Sequence, residues 1–126
     1  KERLLKEGDI VNIDLTTIVD GAYGDQSETF FVGLVSDTAK RLTIAAANSL
    51  VEAISVVAPN TSLIKIGEMI EKVAHQQKFS VVRDYTGHGI STVFHEDPPI
   101  FHFRSPDMEQ YGMAAGMTFT IEPMIN

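Results

Sequence analysis

The chain has 126 residues, of which 44% are apolar, so it is long enough and apolar enough to form a folded domain with a core. Its 17 acidic residues outnumber its 10 basic residues and are spread along the chain, which argues against nucleic acid or an anionic membrane as a partner. Polar residues interrupt every apolar run, so no segment is predicted to span a membrane. Because the chain contains no cysteine, any metal site must use oxygen and imidazole ligands.

The first part of the chain predicts a β-hairpin followed by two helices. Apolar and polar residues alternate from position 9, and Asp20-Gly21 predicts a tight turn into a return strand over 22–32. Ser36 is the predicted N-cap of a helix that ends before Pro59, and a second helix is expected soon afterwards, following Ser62.

The second part predicts a return to strands. Residues 79–85 (FSVVRDY) have strand character, residues 96–101 (EDPPIF) form a proline-rich turn, and residues 117–125 (MTFTIEPMI) alternate apolar and polar side chains. Strands, then helices, then strands indicate an α+β domain with an antiparallel sheet and helices on one face.

Two aspartates are predicted to lie close together on the hairpin. If the turn has two residues, Asp14 faces Ser27 and lies diagonal to Asp25 on the same face of the sheet. Two carboxylates at that distance either share a proton or a cation, or are solvated acids on an outer face. The spacing alone does not decide between these alternatives.

Two more polar residues could join them. His88 lies between two glycines, which allow the backbone a sharp path into a cleft, and Glu122 lies on the polar side of the last predicted strand. Alone, they could equally be a loop histidine and a surface glutamate. Together, three carboxylates and one imidazole make a ligand set suited to divalent first-row metals.

Three segments carry a resemblance to a known family: NIDLTTIVDGAYGDQSETFFVG at 12–33, YTGHGISTVFHEDPP at 85–99 and GMTFTIEPMIN at 116–126. In this order they resemble the type I methionine aminopeptidases over essentially the whole chain. The resemblance implies the α+β pita-bread (creatinase/aminopeptidase) fold, a curved antiparallel sheet with helices on its outer face. It implies one catalytic domain over 1–126, expected to be truncated at both ends, that binds two divalent metal ions (Co, Mn, Fe or Zn).

The resemblance also implies roles for individual residues. Four positions match metal ligands of the family: Asp14, Asp25, His88 and Glu122. Glu122 would also act catalytically as a proton shuttle. His95 would be a catalytic and substrate-binding residue that hydrogen-bonds the substrate and stabilises the tetrahedral intermediate, and Phe94 would form an apolar wall of the methionine pocket.

The function implied is hydrolytic removal of the initiator methionine from nascent proteins and peptides by a metal-bound hydroxide. The implied setting is a monomer acting on nascent N-termini near the ribosome, in the cytoplasm or in an organelle that makes proteins. Two alternatives are an Xaa-Pro aminopeptidase or prolidase of the same fold, and a binding module of the same fold without catalysis.

The sequence departs from the family pattern at Ser91, Tyr23 and Gln26, none of which is a predicted ligand. The family's fifth ligand, a glutamate, and an upstream substrate histidine are expected outside this chain, so we expect weak, mostly single-metal binding and little activity from the chain alone. His75 and His102 are predicted to be bystanders, the first on the polar side of a helix and the second as a structural residue.

Overall fold

A computed structural model describes residues 2–126. Its elements in chain order are β1 (Ile10–Val19), β2 (Ala22–Phe31), α1 (Asp37–Ser55), α2 (Ile64–Gln76), β3 (Gly87–Gly89), β4 (Glu96–Ile100) and a 3-10 turn (Pro106–Met108). The strands form two antiparallel pairs, β1 with β2 and β3 with β4. The predicted α+β class with antiparallel pairing is therefore confirmed. Neither described helix has the length and apolar character needed to cross a membrane.

The first hairpin has the predicted register. Asp14 pairs with Ser27, and Asp25 pairs with Thr16, so the two aspartates are diagonal neighbours. The turn residues Asp20 and Gly21 have φ values of 51° and 84°, the left-handed conformation that a two-residue hairpin turn requires. The return strand ends at Phe31, one residue before the predicted end.

The two helices begin close to the predicted positions. Ser36 caps α1, because its side-chain oxygen accepts a hydrogen bond from the Ala39 N–H at 3.2 Å. In α2, Gly67 lies against the backbone carbonyls of Phe101 and Phe103, where a Cβ would overlap them. A side chain at this position would push α2 away from the segment that follows β4.

The core lies between α2 and the last third of the chain. Its buried members are Ala53, Leu63, Ile64, Ile66, Ile70, Ala74, Val81, Ile100, Met108 and Met113. His75 lies on the exposed side of α2, as predicted. The core therefore holds α2 against the segments that carry two of the predicted site residues, His88 and Glu122.

Two predicted strands are wrong, and one predicted turn is a strand. Within the described residues, 79–85 and 117–125 form isolated bridges instead of named strands, at Val81 with Ile125 and at Gly89 with Phe119. Pro123 has no N–H, so a regular ladder cannot continue through the second segment. The proline-rich stretch at 96–100 instead forms β4, paired with β3 through an irregular register.

Candidate metal centre

Three predicted ligands converge from three separate segments. Asp25 comes from β2, His88 from β3 and Glu122 from the C-terminal segment, and one ligand atom from each lies within 4.8 Å of the others. Asp25 and Glu122 are partly buried and His88 is 9% exposed. The arrangement supplies two carboxylate oxygens and one imidazole nitrogen to a single point.

The ring of His88 is oriented by the backbone carbonyl of the next residue, Gly89. Its Nδ1 atom lies 2.8 Å from the carbonyl oxygen of Gly89, so Nδ1–H donates to that carbonyl and the proton stays on Nδ1. The Nε2 atom faces Asp25 Oδ2 at 3.4 Å and Glu122 Oε1 at 3.6 Å. This is the orientation in which metal-binding histidines offer one nitrogen while the other donates to a carbonyl.

The charges at this point fit a cation. Whenever Nε2 carries no proton, its lone pair points toward two carboxylates, and the three groups repel one another unless a metal ion lies between them. Carboxylate and imidazole together are ligands that divalent first-row metals accept. The residues therefore fit a divalent metal ion by their chemistry and by their spacing.

The glycines beside His88 allow other backbone segments to approach closely. A Cβ at Gly87 would overlap the carbonyl oxygen of Thr120, and a Cβ at Gly89 would lie 2.7 Å from the carbonyl oxygen of Asp97. Side chains at these positions would separate β3 from both neighbouring segments. The predicted reason for the two glycines, a thin backbone around the histidine, agrees with this packing.

Two side chains hold Glu122. The hydroxyl of Thr120 donates to Glu122 Oε1 at 2.7 Å, and the backbone N–H of Glu122 donates to His102 Nε2 at 3.1 Å. His102 is 1% exposed, and burial lowers the pKa of this imidazole from 6.5 to about 4. His102 is therefore neutral at neutral pH, which leaves Nε2 free to accept the hydrogen bond.

Asp14 lines the same cleft but does not join the group of three. A cleft of about 740 Å³ is bordered by Asp14, Asp25 and Glu122, together with one side of α1. Among residues 2–126, the convergent ligand set consists of Asp25, His88 and Glu122. The role of Asp14 as a ligand stays a prediction.

His95 and Phe94 lie next to the centre. The ring of His95 is 4.3 Å from that of His88 between centroids, and the Phe94 ring is 5.4 Å from the His88 ring and 5.6 Å from Tyr23. The loop is fastened at Ser91, whose carbonyl accepts the Tyr23 N–H at 2.8 Å. The substrate-binding roles of His95 and Phe94 stay predictions.

Two residues of the site were not expected from the sequence. Thr120 stands two positions before Glu122, so strand alternation already places both on one face and could have indicated the contact. His102 is structural, as predicted, but it also holds the Glu122 backbone. A histidine in the apolar stretch Phe101–Phe103 is the signal for a buried polar group that needs a partner.

Comparison with known proteins gives concordant results. The model of metallopeptidase family M24 matches residues 1–126. Methionine aminopeptidase from Escherichia coli K12 is 47% identical over 124 residues, which are 98% of this chain and 47% of that protein.

Two solved structures of methionine aminopeptidases have a fold similar to that of this chain. The crystal structure of methionine aminopeptidase from Rickettsia prowazekii superposes with a TM-score of 0.88 at 47% identity, over 97% of this chain and 49% of that one. The structure of the Thermotoga maritima enzyme gives a TM-score of 0.92 at 35% identity, over 98% and 49%.

The chain thus spans about half the length of the relatives it matches, and the predicted pita-bread fold is confirmed as a partial domain. The match of the family model extends over every element described above, including the three that carry the convergent ligands. The chain belongs to metallopeptidase family M24.

Proposed function

We propose that this chain is part of a metal-dependent aminopeptidase that removes the N-terminal methionine from proteins and peptides. The observation that carries the proposal is the convergence of Asp25, His88 and Glu122 on one point. The 47% identity to a methionine aminopeptidase supports the choice of substrate. Residues 1–126 would then belong to a single catalytic domain.

The convergent side chains have two proposed roles. Asp25, His88 and Glu122 would hold a divalent metal, which when bound supplies Lewis-acid activation of water and of the substrate carbonyl. Glu122 would also take a proton from the attacking water and pass it to the leaving amine, since its carboxylate lies at the centre of the site.

The neighbouring loop would bind the substrate. His95 would donate a hydrogen bond to the carbonyl of the first peptide bond, which stabilises the charge that develops there in the transition state. Phe94 would contact the methionine side chain. The position of both rings beside His88 supports these roles.

We also propose that a second divalent metal ion binds beside the first. Asp14, on the same face of the hairpin as Asp25 and on the same cleft, would join the ligand set and allow two ions to bind side by side. Co, Mn, Fe and Zn all accept carboxylate and imidazole ligands.

The proposed partners are polypeptide N-termini, including those that emerge from ribosomes, with the enzyme acting as a monomer in the cytoplasm or in an organelle that makes proteins. A metal-dependent exopeptidase of this kind requires a free N-terminus. We therefore expect no cleavage of peptides whose N-terminus is acetylated.

The test is methionine release from a Met-Gly peptide, compared with release from an Xaa-Pro peptide. It uses a polypeptide in which this chain is extended to the full length of its relatives. We expect methionine release that needs Mn²⁺ or Co²⁺ and stops with a chelator. His88→Ala should reduce it by more than about 100-fold, because removing a ligand costs more than removing an outer-shell partner.

The matched control is His75→Ala, which removes an exposed histidine from α2 and should leave release unchanged. Preferential cleavage of the Xaa-Pro peptide would assign the prolidase type instead. Folded protein that binds no metal and cleaves neither peptide would assign a binding module.

A further inference from the structure

The hydroxyl of Thr120 lies between two of the convergent ligands. Its oxygen accepts a hydrogen bond from the backbone N–H of His88 at 3.0 Å, and it donates its proton to Glu122 Oε1 at 2.7 Å. The Thr120 backbone N–H also donates to the His88 carbonyl at 2.8 Å. Thr120 therefore contacts the His88 backbone through both its hydroxyl oxygen and its own N–H, and it contacts the Glu122 side chain through its hydroxyl proton.

The direction of these bonds is fixed by chemistry. A backbone N–H can only donate, so the Thr120 oxygen must act as its acceptor, and the single hydroxyl proton remains for the carboxylate, which can only accept when ionised. No alternative hydroxyl rotation satisfies both neighbours. The carboxylate of Glu122 is thus held at a fixed position relative to the His88 backbone.

We propose that Thr120 is a positioning residue, whose hydroxyl holds Glu122 and His88 in one fixed arrangement toward the metal. This inference rests on the proposed function and extends it to a residue that is not itself a ligand. Outer-shell partners of metal ligands typically change metal affinity or activity by about 10–100-fold when removed. The hydroxyl, and not the volume of the side chain, should carry the effect.

Two substitutions separate these contributions. Thr120→Val keeps the shape but removes the hydroxyl, and Thr120→Ser keeps the hydroxyl but removes the methyl group. In the full-length polypeptide, we expect Thr120→Val to weaken Mn²⁺ binding by about 10-fold in calorimetry and to lower kcat more than it changes KM. Thr120→Ser should stay within about threefold of the wild type in both measurements.

A readout without metal tests the contact directly. In the metal-free protein, hydrogen exchange of the His88 amide should be faster in Thr120→Val than in wild type or Thr120→Ser, because the amide loses its acceptor. Equal exchange in all three proteins would overturn the hydrogen-bond assignment. Unchanged Mn²⁺ affinity in Thr120→Val would overturn the positioning role.

Failure of the positioning role can be distinguished from failure of the proposed function. If the wild-type protein binds Mn²⁺ and releases methionine while both variants match it, the positioning role is wrong and the proposed function stands. If the wild-type protein neither binds Mn²⁺ nor releases methionine, the proposed function fails. If Thr120→Val does not fold, Thr120→Ala replaces it with the same expectations.

Discussion

Gly87 provides the sharpest test of how the site is assembled, because a single methyl group there should separate two segments. A Cβ at position 87 would overlap the Thr120 carbonyl oxygen and lie 3.1 Å from both its carbonyl carbon and its Oγ1. Restoring ordinary contact requires the backbones to separate by roughly 1 Å, which would stretch the 2.8 and 3.0 Å hydrogen bonds between Thr120 and His88 beyond useful length.

The cost follows from these contacts. Overpacking costs about 1–3 kcal/mol, and each lost hydrogen bond about 1 kcal/mol, while the reduced entropy of the unfolded chain returns about 0.4–1 kcal/mol. We therefore expect Gly87→Ala to lower the free energy of unfolding by about 2–5 kcal/mol, with both hydrogen bonds lost. It should also weaken Mn²⁺ binding, because Glu122 moves with Thr120 and away from His88.

The assay is urea denaturation followed by circular dichroism, with calorimetric Mn²⁺ titration of each protein that folds. Gly112→Ala is the matched control, because within residues 2–126 no atom other than those of its chain neighbours lies within 4 Å of a Cβ there, and its φ lies outside the left-handed range. The control should change stability by less than about 1 kcal/mol. If Gly87→Ala were as stable as the control and bound Mn²⁺ equally well, close approach of the two backbones would not be what Gly87 provides.

Two further predictions concern the buried interior. Because His102 titrates near 6.5 when unfolded but at a pKa of about 4 when folded, the unfolded state takes up the proton first, and stability should fall as pH drops from 6.5 toward 4. Between pH 7 and pH 4, the free energy of unfolding measured by denaturation should fall by about 3 kcal/mol more in the wild type than in His102→Gln. An equal fall in both proteins would contradict this. Ile70→Ala should lower the free energy of unfolding by about 2–5 kcal/mol in the same assay, because Ile70 is buried. The control Ile54→Ala, at an exposed position, should lower it by less than about 0.5 kcal/mol. Equal losses in the two variants would place Ile70 outside the core.

The sequence predicts the first hairpin well because one local feature determines it. Asp20-Gly21 selects a two-residue turn, the turn fixes the register, and the register places Asp14 diagonal to Asp25. Each step depends on neighbouring residues only. The predicted cap at Ser36 is confirmed for the same reason.

The spatial proximity of His88 and Glu122 could not be predicted from the spacing of residues in the sequence. They are separated by a long segment whose path depends on packing against α2, including the close contact at Gly67. The resemblance to a known family suggested the pair, and the periodicity of residues did not. Periodicity also misplaced the late strands, because alternation predicts a strand but does not reveal that Pro123 interrupts hydrogen bonding or that Glu96–Ile100 pairs with Gly87–Gly89.

The wrongly predicted strand at 117–125 and the way in which Glu122 is held have the same physical cause. Residues 117–125 form no continuous strand within the described chain, so a regular ladder does not fix the position of Glu122. Backbone hydrogen bonds of Thr118 and Thr120 with Ile90 and His88 fix it together with side chains, because the two threonine hydroxyls bond to the same two residues and His102 accepts the Glu122 N–H.

The side-chain contacts among these join residues that are close in space but distant in sequence, and each depends on one polar atom. A site held in this way should be sensitive to the loss of single hydroxyl or imidazole groups that never touch a metal. It should be much less sensitive to changes of apolar residues on the exposed strand faces.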